Sequence, residues 1–137
     1  MTSCVAVVAA VFVAASSAYA APLRFESLGT FNAPVYVAGM PGDANTVFVV
    51  EQEGTIRAVQ NGQTLPTPLL NIGGGGGLVE TGGERGLLSV AFPADYQTSR
   101  RFYVYYTSHS GPGDIQIDEF SASSGSLLVA DPGSRRP

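Results

Sequence analysis

The sequence predicts an all-β protein, because short apolar segments alternate with turns along most of its length. Val47–Glu51 and Thr55–Gln60 are rich in β-branched residues and are joined by residues 52–54. Gly54 can adopt a positive φ there, so the two segments predict a β-hairpin. Phe102–Thr107 carries apolar or aromatic side chains on both faces, which indicates a central strand enclosed between stacked sheets. Such short strands, with frequent Gly and Pro between them, are typical of a sandwich, a barrel or a propeller.

Three further segments give weaker strand signals. Thr67–Ile72 is apolar, but a proline lies near its start, and Leu87–Phe92 is a short apolar segment. Ile115 and Ile117 alternate with polar neighbours, which predicts a half-buried strand that ends near Phe120.

Two segments are predicted to be irregular. Gly73–Gly77 is a run of consecutive glycines whose backbone entropy disfavours any regular element, so a loop is expected through Gly83. This loop does not match a phosphate-binding P-loop, which ends in Gly-Lys-Ser/Thr, because the chain contains no Lys. Asp131–Pro137 is predicted to be turn-like, with no strand to cover what precedes it.

Residues 1–20 are predicted to be a secretory signal peptide. Val5–Ala15 is an unbroken apolar run, and Ala18-Tyr19-Ala20 matches the small-x-small cleavage pattern. The alternative is a membrane anchor, but the run is shorter than the roughly 20 residues that span a bilayer. Cleavage leaves residues 21–137, which are 117 of the 137, and predicts a secreted or periplasmic protein without a membrane span.

Composition excludes several classes of function. The formal net charge is −4, so nothing in the charge balance favours nucleic acid or anionic lipid. Cys4 is the only cysteine and lies in the predicted signal peptide, which excludes disulfides and Cys-ligated metal from the mature chain. Because all seven basic residues are Arg, Schiff-base chemistry on a lysine is excluded as well.

Four motifs occur in order along the chain: VFVVEQEGTIRAVQNG (Val47–Gly62), LLNI (Leu69–Ile72), GGERGLLSVAFPADY (Gly82–Tyr96) and RFYVYYT (Arg101–Thr107). Together they resemble the glucose/sorbosone dehydrogenase family, the soluble sugar dehydrogenases that use pyrroloquinoline quinone (PQQ). The resemblance covers roughly residues 25–132. The sequence departs from the family pattern at Ser89, where Gly is usual, and after Phe92, where His is usual.

The resemblance implies a six-bladed β-propeller. Since a blade takes about 40 to 50 residues, 21–137 would form its N-terminal two to three blades, as part of a longer product. It also implies that an aldose is oxidised at its anomeric hydroxyl by hydride transfer to PQQ, with calcium polarising the cofactor and an electron acceptor completing the cycle. Glu84 stands where the family places a Gln or Glu in the cofactor pocket. The family's catalytic His is expected downstream of Pro137, so no catalytic residue is assigned here.

Other candidate site residues have both a functional and a structural interpretation. His109, the only His, could act as a base oriented by Asp114 or Asp118, or could be a solvated loop residue. Arg85 is expected to form a surface or blade-bridging ion pair. Asp95 could be a calcium ligand, but a lone Asp is more typical of a turn, and no metal ligand is assigned. The aromatic residues could stack on sugars or form inter-blade core; they are Tyr103, Tyr105 and Tyr106.

Two functions besides the sugar dehydrogenase remain open. The first is a non-catalytic extracellular propeller used for binding or adhesion, because a fold does not determine function. The second is a small complete β-sandwich with a binding role, which would need its last strand before Pro137.

Overall fold

The computed structural model describes residues 23–74, 76–110 and 113–137, and their regular structure is almost all β-strand. The predicted signal peptide, residues 1–20, lies outside the described residues. No helix in the described part of the chain is long and apolar enough to cross a membrane. The elements are β1 (Pro34–Met40), β2 (Asp43–Glu51), β3 (Thr55–Gln60), β4 (Gln63–Thr64), β5 (Leu70–Asn71), β6 (Leu87–Ala91), α1 (Tyr96–Ser99), β7 (Arg101–Thr107), β8 (Ile115–Ala122) and β9 (Ala130–Arg136).

The first sheet has the order β1-β2-β3-β4, with β5 also paired to β3. Strands β2 and β3 form the predicted hairpin, in which Glu51 pairs with Thr55. Gly54 closes the turn with φ 111°, a conformation that favours glycine. The predicted third strand is shorter than expected, because only β5 joins the sheet.

The second sheet is antiparallel and has the order β6-β7-β8-β9. The predicted turn-like ending at Asp131–Pro137 is wrong, because β9 pairs with β8 from Ala130 onwards. The pairing shifts register between Glu119 and Ser121 of β8, and there the Ser134 hydroxyl accepts a hydrogen bond from the Ser121 amide. Pro132 is tolerated because β9 is the edge strand, where a missing amide donor leaves no neighbour unpaired.

One apolar core joins the two sheets. Phe48 from β2 stacks on Phe92 with ring centroids 4.5 Å apart, and Phe92 lies 5.7 Å from Phe102 of β7. Phe102 in turn stacks on Phe120 of β8 at 6.0 Å. This aromatic row runs from one sheet to the other, so the sheets are packed together as neighbouring blades are.

Strand β7 is enclosed on one face only, which corrects the expectation of two buried faces. Phe102, Val104 and Tyr106 are buried in the core. Tyr103 and Tyr105 point to the opposite face and are only half-buried. Among the described residues, no second layer covers that face.

Strand β8 buries the face opposite to the one that its isoleucines suggested. Ile115 and Ile117 are exposed at 52% and 59%, whereas Asp118 and Phe120 are buried. The strand turns this way because Phe120 completes the aromatic row and Asp118 finds polar partners inside the sheet. A charged side chain is buried when such partners are present.

Candidate functional site

Three chain segments meet at one end of the sheets, and we call this region the loop junction. They are the hairpin turn 52–54, the linker 72–86 between the sheets, and the loop that follows β7. The Ile72 amide donates to the Gly54 carbonyl at 2.9 Å, which ties the linker to the hairpin turn. The His109 amide donates to the Leu78 carbonyl at 2.7 Å, which ties the third segment to the linker.

Glu84 lies in a tight turn at the end of this linker. The Arg85 amide donates to the Gly82 carbonyl at 3.1 Å and closes the turn. From the other sheet, Gln52 Nε2 donates to the carbonyls of Gly83 and Arg85 at 2.8 and 3.0 Å. The backbone on both sides of Glu84 is therefore held, while its side chain is exposed to solvent.

Gly86 is required by close packing between the turn and the hairpin. A Cβ at this position would lie 2.5 Å from both Cγ and the carbonyl oxygen of Gln52, closer than such atoms approach. The Gly86 carbonyl also accepts a hydrogen bond from the Thr107 amide at 2.9 Å. The glycine of the Gly-Glu-Arg-Gly-Leu-Leu motif thus has a steric reason to be there.

His109 forms a carboxylate–imidazole pair with Glu80. Their Nδ1 and Oε2 atoms are 2.7 Å apart, and Arg85 Nη1 lies 3.9 Å from the other carboxylate oxygen. The predicted ion pair of Arg85 is therefore a surface pair within the linker. The Glu80–His109 pair borders a cavity of about 360 Å³, which is lined by Glu53, Gly74, Gly76, Val79, Glu80, Thr81 and His109.

The aspartates expected to orient His109 lie elsewhere. Asp118 is buried in the second sheet, and Asp114 is exposed, with its carbonyl accepting from the Ser108 amide at 2.8 Å. Sequence reasoning missed Glu80 because it is 29 residues from His109 and no local pattern links them. In the structure, neither aspartate orients the His109 imidazole.

Asp118 is instead the centre of a buried polar cluster. The Tyr106 hydroxyl donates to its carboxylate at 2.8 Å, Arg135 Nε at 2.5 Å and Gln116 Nε2 at 3.1 Å. Burial, together with the hydrogen bond to Asp118, raises the pKa of Tyr106 to about 12. Tyr106 is thus a core residue, as predicted, and its hydroxyl holds the sheet together.

Asp95 occupies the N-cap position of α1 and does not form the Asx-turn that its place in the sequence suggested. Its side chain makes no capping bond to the backbone, and its Oδ1 accepts from the Ser99 hydroxyl at 3.3 Å. In the described part of the chain, no three or more His, Cys, Asp or Glu side chains are grouped so that they could hold a metal ion.

Solved structures of sugar dehydrogenases share this fold. The PQQ-bound aldose sugar dehydrogenase of Streptomyces coelicolor is 27% identical with a TM-score of 0.57, and the match covers 78% of this chain and 31% of that one. The soluble aldose sugar dehydrogenase of Escherichia coli, in its apo form, is 25% identical with a TM-score of 0.56, over 77% of this chain and 28% of that one. The chain thus spans about a third or less of either structure.

Two sequence comparisons complete the assignment. Mouse Hedgehog-interacting protein is 29% identical over 110 residues, which are 72% of this chain and 15% of that protein. The family model described as glucose/sorbosone dehydrogenase matches residues 31–125, which include both sheets up to β8 and the whole loop junction. The chain therefore belongs to the glucose/sorbosone dehydrogenase family.

Proposed function

We propose that this chain is the N-terminal part of a PQQ-dependent aldose dehydrogenase in which the turn 82–86 supplies Glu84 to the pocket for cofactor and sugar. The observation that carries the proposal is the turn itself. Its backbone is held by both sheets through Gln52 and Thr107, yet the Glu84 carboxylate is exposed. A rigid backbone that presents one exposed acceptor suits a ligand with hydroxyl or N–H donors.

The residues of the loop junction fit PQQ at the turn but not in the adjacent cavity. PQQ carries several carboxylates, and the Glu53 and Glu80 carboxylates that line the cavity would repel them. At the turn, the Arg85 side chain is 54% exposed and can pair with an anion, while Glu84 can accept hydrogen bonds. Glu84 and Arg85 are therefore the residues of this chain that would hold the cofactor, which when bound serves as hydride acceptor.

In this proposal the chain orients the substrate. The Glu84 carboxylate accepts a hydrogen bond from a sugar hydroxyl or a cofactor N–H, and bonds to a charged acceptor contribute about 1.5 to 3 kcal/mol. Because the turn is held from both sheets, little reorganisation accompanies binding. The base that removes the proton from the anomeric hydroxyl, and any calcium ion, are assigned to sequence beyond Pro137.

A titration of residues 21–137 with PQQ, followed by the change in PQQ fluorescence, tests this role. The Glu84→Gln variant keeps the shape of the side chain and removes its charge, and we expect it to bind about tenfold more weakly. Glu26→Gln, an exposed position before β1, is the matched control and should bind as the unsubstituted chain does. Equal affinity in all three proteins would contradict the role of Glu84.

We also propose that the protein acts outside the cytoplasm after removal of residues 1–20. The apolar run and the Ala18-Tyr19-Ala20 pattern support this. Expressed in a bacterial host, the mature protein is expected to begin at Ala21. N-terminal sequencing that returned Met1 from a membrane fraction would exclude it.

A non-catalytic binding module is the second candidate. The observation behind it is the 29% identity to a protein whose name describes interaction with hedgehog, over 15% of that protein, whereas the family model and the solved structures support the dehydrogenase. The PQQ titration separates the two, since a binding module has no need of the cofactor. PQQ binding that Glu84→Gln weakens would count against this second candidate.

A further inference from the structure

We propose that Gln52 is a positioning residue, which acts from the first sheet to fix the turn that carries Glu84. The functional part of this inference rests on the role proposed above for Glu84. The contact itself does not, because it is a property of the loop junction. Gln52 lies within the first family motif, Val47–Gly62, but that motif gives it no role beyond the first position of a hairpin turn.

The geometry uses the two hydrogens of one amide group. Gln52 Nε2 donates to the Gly83 carbonyl at 2.8 Å and to the Arg85 carbonyl at 3.0 Å. These two carbonyls belong to the residues immediately before and after Glu84. The Gly83 carbonyl lies in the peptide plane just before Glu84, and the Arg85 carbonyl lies in the plane between Arg85 and Gly86. Fixing both restricts the backbone of the turn on either side of Glu84, and hence the direction in which its side chain leaves the backbone.

Gln52 is itself held in place by its backbone. Its amide donates to the Ala33 carbonyl at 3.0 Å, and its own carbonyl accepts from the Leu87 amide at 2.8 Å. Gly86 packs directly against its Cγ, where any larger residue would collide. A side chain with so few alternative positions loses little entropy when it makes the two bonds.

The chemistry of this contact requires a donor group. A carboxylate in the same place would face two carbonyl oxygens with no hydrogen between them, and a thioether would leave both carbonyls without that partner. We call the two hydrogen bonds from Gln52 to the Gly83 and Arg85 carbonyls the clamp. Gln52→Glu and Gln52→Met keep the length of the side chain and remove the clamp in two different ways. Glu53 is the matched control, because it is next in sequence but lines the cavity instead.

Amide hydrogen exchange, measured by NMR on residues 21–137, tests the clamp without cofactor. In both Gln52 variants we expect the Arg85 amide, which closes the turn, to exchange about tenfold faster or more. The amide of Val59 in β3, buried in the first sheet, should exchange as before, and Glu53→Gln should leave both rates unchanged. Unchanged exchange at Arg85 in a folded Gln52 variant, or an equal effect of Glu53→Gln, would overturn the proposal. Reading two variants keeps the test decisive if one of them fails to fold.

A double-variant PQQ titration tests whether Gln52 acts through Glu84. If it does, Gln52→Met weakens PQQ binding, and Gln52→Met combined with Glu84→Gln binds no more weakly than Glu84→Gln alone. Additive losses would show that Gln52 works by another route and would overturn the positioning role. If Glu84→Gln binds as tightly as the unsubstituted chain, the role of Glu84 fails and so does the functional half of this inference. The exchange measurement then still decides whether the clamp exists.

Discussion

At the scale of single residues, the buried polar group Asp118 determines how β8 faces the core. Sequence periodicity alone placed Ile115 and Ile117 together as one face, and nothing local showed that Asp118 would be the buried partner. The hydroxyl of Tyr106 and the guanidinium of Arg135 supply that information, and they come from two other strands. Contacts with the two neighbouring strands can therefore outweigh the preference of isoleucine for the interior.

Replacing Tyr106 with Phe removes a donor from this buried carboxylate. We expect the free energy of unfolding at pH 7 to fall by about 1.5 to 3 kcal/mol, because a hydrogen bond to a charged, buried acceptor is lost. Urea denaturation measures the change. Tyr36→Phe, at a side chain that is 45% exposed, is the control and should change stability much less.

The alkaline stability of the protein follows from the same hydroxyl. Burial raises the folded-state pKa of Tyr106 to about 12, above the value of about 10 in an unfolded chain. The contribution of Tyr106 to the free energy of unfolding is therefore complete below about pH 10 and is lost as the pH rises from there towards 12. Burial also raises the pKa of Tyr96 to about 12, so part of the alkaline loss belongs to that residue. Urea midpoints between pH 8 and pH 11 should fall less steeply for Tyr106→Phe than for the unsubstituted chain, and identical slopes would contradict this assignment.

At the scale of elements, pairing through a tight glycine turn could be read from the sequence, and irregular pairing through a longer connection could not. The β2–β3 hairpin was predictable because its strands are joined by a short turn with a glycine at the position that needs positive φ. Strand β9 was not, because its pairing with β8 passes through a register shift beside Pro132 and Gly133, residues that normally indicate a turn. At the candidate site, likewise, the motif around Glu84 was visible, whereas Gln52 and Glu80 became site residues only through folding.

The linker 72–86 makes one contact, at Gly73, whose loss can be measured. Gly73 lies against the hairpin turn, and a methyl group there would overlap the Glu53 carbonyl. We expect Gly73→Ala to lower the free energy of unfolding by about 1 to 3 kcal/mol, since backbone on both sides must move. Gly125→Ala is the control, because no atom lies within 4 Å of its added methyl group. Equal urea midpoints for the two variants would show that the linker is not packed as described.

At the scale of the whole molecule, the outer face of the second sheet is apolar. Tyr105 and Ile117 are cross-strand partners there, and Ile117 is 59% exposed. Sequence reasoning placed this part of β7 inside stacked sheets, as neighbouring blades would require. The described residues supply one neighbouring sheet, on the other face. An apolar sheet face of this kind favours self-association.

Ile117→Lys tests that consequence. The substitution places a charge in the middle of the outer face and removes no core contact, so stability should change by no more than about 0.5 kcal/mol. Light scattering on residues 21–137 should show less self-association as concentration rises. Val35→Lys, an exposed apolar position on β1, is the control for added charge alone. An equal decrease in both variants would mean that net charge, and not this face, governs association.

The arrangement of the loop junction also predicts that residues 21–137, supplied with PQQ and calcium, do not oxidise aldoses. Proton removal needs a base within about 2.6 to 3.2 Å of the sugar hydroxyl. The only imidazole, His109, has Nδ1 bonded to Glu80 and borders an acidic cavity that does not suit the cofactor. Dye reduction with several aldoses should therefore match the rate of free PQQ. Turnover above that rate, if abolished by His109→Ala, would identify the His109–Glu80 pair as a base. If it were abolished by Glu84→Gln and not by His109→Ala, the turn alone would be enough to activate the bound sugar.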